Sequence, residues 1–377
     1  MTNSAALYIH IPFCKSKCDY CDFFSVTKNP PWDDFVSSIL REGTMRKAEF
    51  GISHLTSVYI GGGTPSIIPD FFLDKLLSGI FAEFSADENC EITIEVNPDD
   101  CTKDFARFLA KSPITRISVG IQSMNDAVLS QVGRRSTAEK NISALENLEH
   151  FCSEKNISAD LIAGLPFETA ESLMSGLRAI LNFPLEHISL YSLMVSPSTP
   201  LFDKINERKI SFDEDFSDEL WIRERDFLLE KGFDQYEISN FCKNGKISRH
   251  NMTYWKGDNY LGIGPGAVGT VDNLRYENST DVANWILSPG LCSTEILSEE
   301  NKIFEFLMLS FRTKWGMNLQ TFEDKFGRKL SDEKLSVCKK WMDKGLLSTE
   351  STRGNFYLNT DGMLFLNKFL EDLIATD

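Results

Sequence analysis

The chain reads as an α/β protein with a parallel sheet of six strand–helix units, followed by a C-terminal winged-helix-like helical domain. Three observations predict this. Short β-branched or aromatic runs alternate with amphipathic segments of helical length through the first half. Residues able to do chemistry stand at the ends of successive runs, where parallel α/β barrels carry their sites. From about residue 295 the pattern changes to three helix-length segments, two short strand-like runs and a last helix.

The strand candidates are residues 7–11, 57–60, 92–96, 116–119, 157–162 and 187–191, each bounded by Gly, Pro, Asn or Asp. Helical segments over 32–50, 70–84, 102–110, 137–152 and 170–181 lie between them. Six such units imply a parallel sheet, and right-handed crossovers curl it toward a barrel. Periodicity alone does not separate this from an open doubly wound sheet. Further on, 212–231 reads as a charged amphipathic helix and 233–239 as an added strand. Residues 249–269, rich in aromatics and glycine, read as an ordered loop. The expected organisation is a barrel core over 1–240, a connecting segment over 241–294 and a C-terminal unit over 295–377, with Arg353–Gly354 as the turn of its hairpin.

Composition narrows the function. With 377 residues the chain exceeds the usual single-domain size. A net charge of −16 argues against general binding to nucleic acid or to an anionic membrane surface. The C-terminal unit is near neutral, with twelve Lys and Arg against thirteen Asp and Glu over 297–377, so its winged-helix pattern lacks the charge of a DNA-reading face. No apolar run is long enough to span a bilayer, and the N-terminus does not read as a signal peptide, which points to the cytoplasm. Six of the nine cysteines are scattered one per element and read as reduced thiols.

The other three are Cys14, Cys18 and Cys21, on the loop that follows the first strand. Three thiolates crowded there suit a [4Fe–4S] cluster and leave its fourth iron without a protein ligand. The competing reading is structural zinc, which needs a fourth ligand such as His10. After the second strand comes Gly61–Gly62–Gly63–Thr64–Pro65, whose side-chain-free backbone can approach a ligand closely. Glu95 ends the third strand, Gln122 the fourth, with Arg134 a short helix later, and Asp160 lies in the fifth. A carboxylate there can accept from ribose hydroxyls or an ammonium, and Arg134 can pair with a carboxylate in bidentate fashion.

The spacing CxxxCDYC, with Tyr20 before the last cysteine, resembles the signature of the radical S-adenosylmethionine (SAM) enzymes. In that superfamily the open iron chelates SAM, and an electron passed through the cluster generates a 5'-deoxyadenosyl radical. Together YIHIPFC, CxxxCDYC, GGGTPS, IEVNP, GIQS and DLIAGLP resemble the coproporphyrinogen-dehydrogenase-like branch over roughly residues 5–200, and the radical SAM resemblance implies a partial, TIM-like (β/α)6 barrel rather than an open sheet. By that resemblance Tyr8, Tyr20, Gly62, Gly63, Thr64, Glu95, Gln122, Arg134 and Asp160 are the SAM-contacting set. The branch divides into an oxygen-independent coproporphyrinogen III oxidase and a group of heme chaperones. The oxidase has a fourth cysteine where this chain has Phe23, and a longer N-terminal extension than the thirteen residues before Cys14. The HNxxYW element of the chaperones is matched by His250, Asn251, Tyr254 and Trp255. That match implies heme as a third cofactor with His250 as axial ligand, although Cys242 and Met252 are alternatives. It further implies delivery of heme to an acceptor hemoprotein, such as a respiratory one at a membrane. The alternative is radical decarboxylation of coproporphyrinogen propionates. The residues do not name the electron donor, nor do they say whether SAM is cleaved.

Overall fold

The period of two in the strands decides the architecture. In a computed structural model, which describes residues 3–350 and 354–375, the first half alternates as follows: β1 (Ser4–Ile11), α1 (Trp32–Phe50), β2 (His54–Gly62), α2 (Asp70–Glu83), β3 (Ser85–Val96), α3 (Lys103–Lys111), β4 (Arg116–Gln122), α4 (Asp126–Gln131), α5 (Ala138–Phe151), β5 (Asn156–Ala163), α6 (Ala170–Ile180) and β6 (His187–Ser192). Strands β1 to β6 pair in parallel, each with the next. Val58, Ile60, Ile94, Ile117, Val119, Ile188 and Leu190 point outward into one apolar core shared with the helices. The alternate positions, among them Ser57, Thr93, Arg116, Ser118, Ser158, His187 and Ser189, are polar and also buried. Parallel strands covered on both faces usually read as continuous apolar runs. Here one face wraps around a polar chamber, so the sheet curves as a barrel wall.

The sheet stays open, and additional strands lengthen both edges. After α7 (Pro200–Asn206) and α8 (Glu214–Glu230), β7 (Asp234–Gln235) and β8 (Asn240–Cys242) continue the β6 edge antiparallel. The loop expected over 249–269 is instead a helix and two strands: α9 (Arg249–Lys256), β9 (Tyr260–Ile263) and β10 (Val268–Val271). Ser248 caps α9 by accepting from the Asn251 N–H, and Gly257 in the left-handed region ends it. Of the aromatics that obscured this helix, Tyr254 turns inward onto His250 and Trp255 faces outward. Strand β9 runs parallel beside β1, and β10, β11 (Leu274–Asn278) and β12 (Cys292–Ile296) follow antiparallel, with α10 (Val282–Leu287) outside.

The C-terminal unit has its own apolar core, including Phe311, Trp341 and Phe369. It comprises α11 (Glu299–Phe311), β13 (Met317–Asn318), α12 (Leu319–Phe326), α13 (Asp332–Asp343), β14 (Leu347–Glu350), β15 (Asn355–Leu358), α14 (Thr360–Met363) and α15 (Leu366–Ile374). The hairpin strands form a sheet of order β13-β15-β14. Of the expected hairpin turn, Arg353 lies outside the described residues, while Gly354 takes a positive φ of 64°.

One buried carboxylate joins the added strands to the barrel. Glu42 of α1 is fully enclosed and accepts from the Gly264 N–H at 2.9 Å, Asn278 Nδ2 at 2.8 Å and Trp285 Nε1 at 3.1 Å, with Arg46 at 3.4 Å. Removing a carboxylate from such a network strands several buried donors and a guanidinium. Glu42→Ala should therefore cost about 3–5 kcal/mol, read as a lower urea midpoint. An unchanged midpoint would show that the β9–β12 extension stands without this joint.

Candidate functional site

The loop after β1 is tied down at several points before any side chain is considered. The Cys14 N–H donates to Val26 O, the Asp19 N–H to Val132 O, and the Val26 N–H to Pro12 O. Asp19 also accepts from the Lys204 ammonium, and its carbonyl from the Leu201 N–H, so the loop is braced against α4 and α7. Gly63 passes directly beneath it. A Cβ there would lie 2.8 Å from Phe13 O and 2.9 Å from Ile11 O, and the Gly63 N–H donates to Ile11 O at 2.7 Å. No larger residue fits that crossing.

The loop brings Cys14, Cys18 and Cys21 to one mouth, each partly exposed and free. The Thr64 hydroxyl donates to Cys14 Sγ at 3.3 Å and Arg134 Nη1 lies 3.8 Å from Cys18 Sγ. Burial raises the Cys21 thiol pKa, and the neighbouring Cys18 and Cys14 add to the rise. Among the described residues no three His, Cys, Asp or Glu side chains stand close enough to share a single metal ion. His10, the candidate fourth zinc ligand, has both ring nitrogens engaged, with Tyr8 Oη at 2.9 Å and Phe24 O at 3.0 Å. With His10 engaged, the three thiols lack the fourth ligand that structural zinc requires, whereas three suffice for a [4Fe–4S] cluster with one open iron.

The same cavity, 340 Å³ in volume, is lined by Tyr20, Gly62, Gly63, Thr64, Glu95, Gln122, Arg134 and Asp160 together with the three cysteines. They reach it from the loop after β1, the ends of β2, β3 and β4 with the segments that follow, and the middle of β5. Glu95 accepts from Tyr59 Oη at 2.8 Å and the Gly62 N–H at 3.1 Å. Burial nevertheless pushes its carboxyl up to about 7, and the Asp160 charge adds to that, against the two hydrogen bonds. Asp160 accepts from Ser118 Oγ at 2.9 Å, and burial raises its carboxyl too. Gln122 holds a positive φ of 65°, which turns the chain away from the strand. Arg134 donates to Gly120 O while its buried Nε has no partner. Tyr20 packs beside Val128, Val132 and Leu165, and burial raises its phenol pKa well above the ordinary value.

Tyr8, by contrast, does not line the cavity. It lies one layer back, packed between His10, Tyr59 and His250. The four residues of the HNxxYW element are also divided. Helix α9 closes the amino-terminal end of the barrel, with the His250 N–H donating to Glu91 Oε1 and Arg249 Nη1 to Asn89 O. Asn251 lines the cavity from below. The His250 ring is buried, with Nδ1 2.9 Å from Ser57 Oγ and Nε2 2.9 Å from Tyr254 Oη. Burial holds it neutral, its pKa pulled down to about 3. Neither nitrogen is free to bind iron in this arrangement. Trp255 points the other way, into a 560 Å³ cleft between α9 and the C-terminal unit, where Met252, Phe306 and Trp315 are further walls and Arg312 lies 4.4 Å from the Trp255 ring.

Residues absent from the sequence reading complete the floor: Arg116, Ser118, His187, Ser189, Tyr191 and Ser248. Their signal was the alternation itself, a polar residue at every second position of strands that should be apolar throughout. Asp100 was also missed; it accepts from Lys15, Arg135 and Ser66 and clamps the cysteine loop to the turn after β3.

The raised Glu95 carboxyl has a consequence for stability. The folded state holds its proton to about 7, the unfolded chain only to about 4.5, so stability falls as pH rises through that window. Glu95→Gln should make the change in urea midpoint between pH 5 and pH 8 less negative than in wild type, leaving the fall due to Glu168, raised to about 7 by burial, and to Glu224, raised likewise, against the opposite trend from the buried neutral His187 and His250 below about pH 6.5. Identical slopes in both proteins would remove Glu95 as the titrating group.

Comparison with known proteins agrees with this geometry. Residues 8–179 match the radical SAM superfamily and residues 297–365 the HemN C-terminal domain. The structure superposes on the solved coproporphyrinogen III oxidase (HemN) from Escherichia coli with a TM-score of 0.84, covering 98% of this chain and 90% of that one at 19% identity. That likeness establishes the fold, a radical SAM partial barrel with a C-terminal helical domain. The heme chaperone HemW of Lactococcus lactis is 36% identical over 338 residues, covering 88% of this chain and 87% of that protein. The heme chaperone HemW of Bacillus subtilis is 31% identical over 369 residues, covering 96% and 97%. The chain thus belongs to the heme chaperone HemW family of radical SAM proteins.

Proposed function

We propose that this protein is a heme chaperone that binds heme and hands it to acceptor hemoproteins, with a [4Fe–4S] cluster and SAM at the barrel mouth. The observation that carries this reading is near-full-length similarity to proteins named heme chaperones, spanning barrel, α9 and C-terminal unit alike. A [4Fe–4S] cluster on three thiolates supplies one iron open to the amino and carboxylate groups of SAM. Cys14, Cys18 and Cys21 hold the cluster. Arg134, beside Cys18, offers the guanidinium for the SAM carboxylate, Glu95 and Asp160 the acceptors for its ribose and ammonium, and Gly62 to Thr64 the close backbone. Phe23, where the oxidase pattern has a fourth cysteine, is two-thirds exposed at the rim.

The heme seat in this reading is α9. Its outer face, with Trp255 and Met252, opens on the cleft, whose volume lies within the usual range of ligand pockets. Its inner face holds His250 and Tyr254 against the barrel. Iron ligation by His250 requires it to release Ser57 or Tyr254, whereas the Met252 thioether already lines the cleft. The acceptor is a hemoprotein, a membrane-bound respiratory one being the leading candidate. No helix among the described residues is long and apolar enough to cross a membrane, and scattered reduced thiols suit the cytoplasm.

Anaerobic reconstitution tests the cluster. Replacing any one of Cys14, Cys18 or Cys21 with Ala should abolish the brown chromophore and its roughly four irons per chain; retained iron would contradict the assignment. Titration with heme, followed by transfer to an apo-hemoprotein, tests the chaperone. Wild type should show a saturable Soret shift, and Trp255→Ala should weaken it. If Met252→Ala moves the Soret band while His250→Ala does not, Met252 is the ligand; the reverse result assigns His250. Protoporphyrinogen made from coproporphyrinogen, SAM and reductant would overturn the chaperone reading in favour of the oxidase.

A further inference from the structure

The cleft between α9 and the C-terminal unit carries its charge at one end. Its walls are largely apolar, from Met252, Trp255, Phe306 and Trp315, with Lys256 as the cation and Asp258 as the carboxylate that line it. Lys256 is the last residue of α9, next to Gly257. Lys325 of α12 reaches the same end: its ammonium lies 3.5 Å from where a Cβ on Gly257 would be, and 5.4 Å from the centre of the Phe306 ring. Burial lowers the Lys325 pKa, with Asp258 opposing the fall and Lys302 of α11 adding to it. This end of the cleft thus holds Lys256, Lys302 and Lys325 about Asp258, in a chain whose net charge is −16.

Many lysines of this chain sit on carboxylates, as Lys15 does on Asp100 and Lys75 on Asp33. Among the described residues no carboxylate stands within ion-pair distance of Lys256, Lys302 or Lys325. The indole N–H of Trp255, in the adjoining wall, is buried and has no acceptor. What this end of the cleft lacks is therefore an anion. Lys256 and Lys325 both stand in the last turn of their helices, where a cation complements the helix dipole. That role asks for a charge at each terminus; it does not ask that both ammoniums meet at one apolar cleft.

From this we infer that Lys256 and Lys325 hold the two propionates of heme and so fix which edge of the porphyrin enters the cleft. The inference rests on the cleft being the heme seat. Heme is an apolar plate whose two carboxylates leave from one edge, and the cleft has the matching division. Its lysine rim takes the charged edge, and Met252, Trp255, Phe306 and Trp315 take the apolar one. Lys256, Gly257 and Asp258 are exposed, so carboxylates bound there keep part of their hydration and avoid the cost of a fully buried ion pair. Ion pairs at such a rim are weak and screened by salt, which suits a ligand that has to be given up again.

The test titrates full-length, cluster-reconstituted protein anaerobically with ferric heme and with its dimethyl ester, the same plate without the charges, and reads binding from the Soret difference band. Wild type should hold heme about tenfold more tightly than the ester, and added salt should weaken heme alone. Lys256→Gln and Lys325→Gln should each weaken heme about threefold, and together about tenfold, while leaving the ester unmoved. The pair Lys256→Arg and Lys325→Arg keeps both charges and should hold heme within about twofold of wild type. Unchanged circular dichroism shows that the variants fold. Equal affinity of wild type for heme and ester, or a Gln pair that weakens both alike, would overturn the proposal. Trp255→Ala separates it from the reading beneath it. If that variant weakens heme and ester alike while the Gln pair changes neither, the cleft is the seat and the lysines are only helix-end charges. If it leaves heme binding unmoved, the cleft is not the seat and the proposal falls with it.

Discussion

Polar side chains buried inside a curved parallel sheet must find partners, and that demand shapes this molecule more than any other. A buried hydroxyl or charge without a hydrogen bond costs more than most apolar contacts return. The strands meet the demand by lining up complementary groups across neighbours: Tyr59 on Glu95, Ser118 on Asp160, Ser158 on His187. Where the strands alone cannot, α9 is driven into the open end and brings His250 to Ser57. Some polar atoms facing the cavity are still left over, among them Arg116 Nη1 and Arg134 Nε.

The same logic explains why the mouth is chemically distinct from the floor. At the mouth, three thiols and backbone N–H groups face outward on a loop held rigid by Asp19, Asp100 and the glycine crossing. These are soft donors in a partly solvated rim, suited to iron and sulfur. Below them the side chains are hard oxygen and nitrogen groups in a closed space, where electrostatic interactions are strong and shifts in ionisation follow, as for Glu95. One cavity thus offers two kinds of chemistry along its length.

The C-terminal unit keeps a separate apolar core yet meets α9 along a cleft walled by Trp255, Phe306 and Trp315. Helix α9 is consequently shared. Its inner face seals the barrel, and its outer face borders the second unit, so a ligand entering the cleft touches the same helix that floors the cofactor cavity. In the proposed function, where heme sits in the cleft, α9 is the physical link between it and the radical SAM site.

Much of this was already legible in the order of residues. The β–α alternation, the cysteine spacing and the placing of Gly62, Glu95, Gln122, Arg134 and Asp160 at strand ends follow from local rules of turn chemistry and period, and the barrel gathers them as those rules imply. The capped helix α9 was hidden because its aromatics and the glycines that follow it mimic a loop, while its packing against Ser57 and Glu91 favours the helix. Which way each side chain faces was not local either. Tyr8 and His250 stand in motifs next to cofactor residues, yet the pleat turns Tyr8 behind the wall and the helix buries His250. The sequence by itself determined which groups are present and on which element; tertiary structure decided which of them remain unpaired, because pairing depends on partners that can lie two hundred residues away.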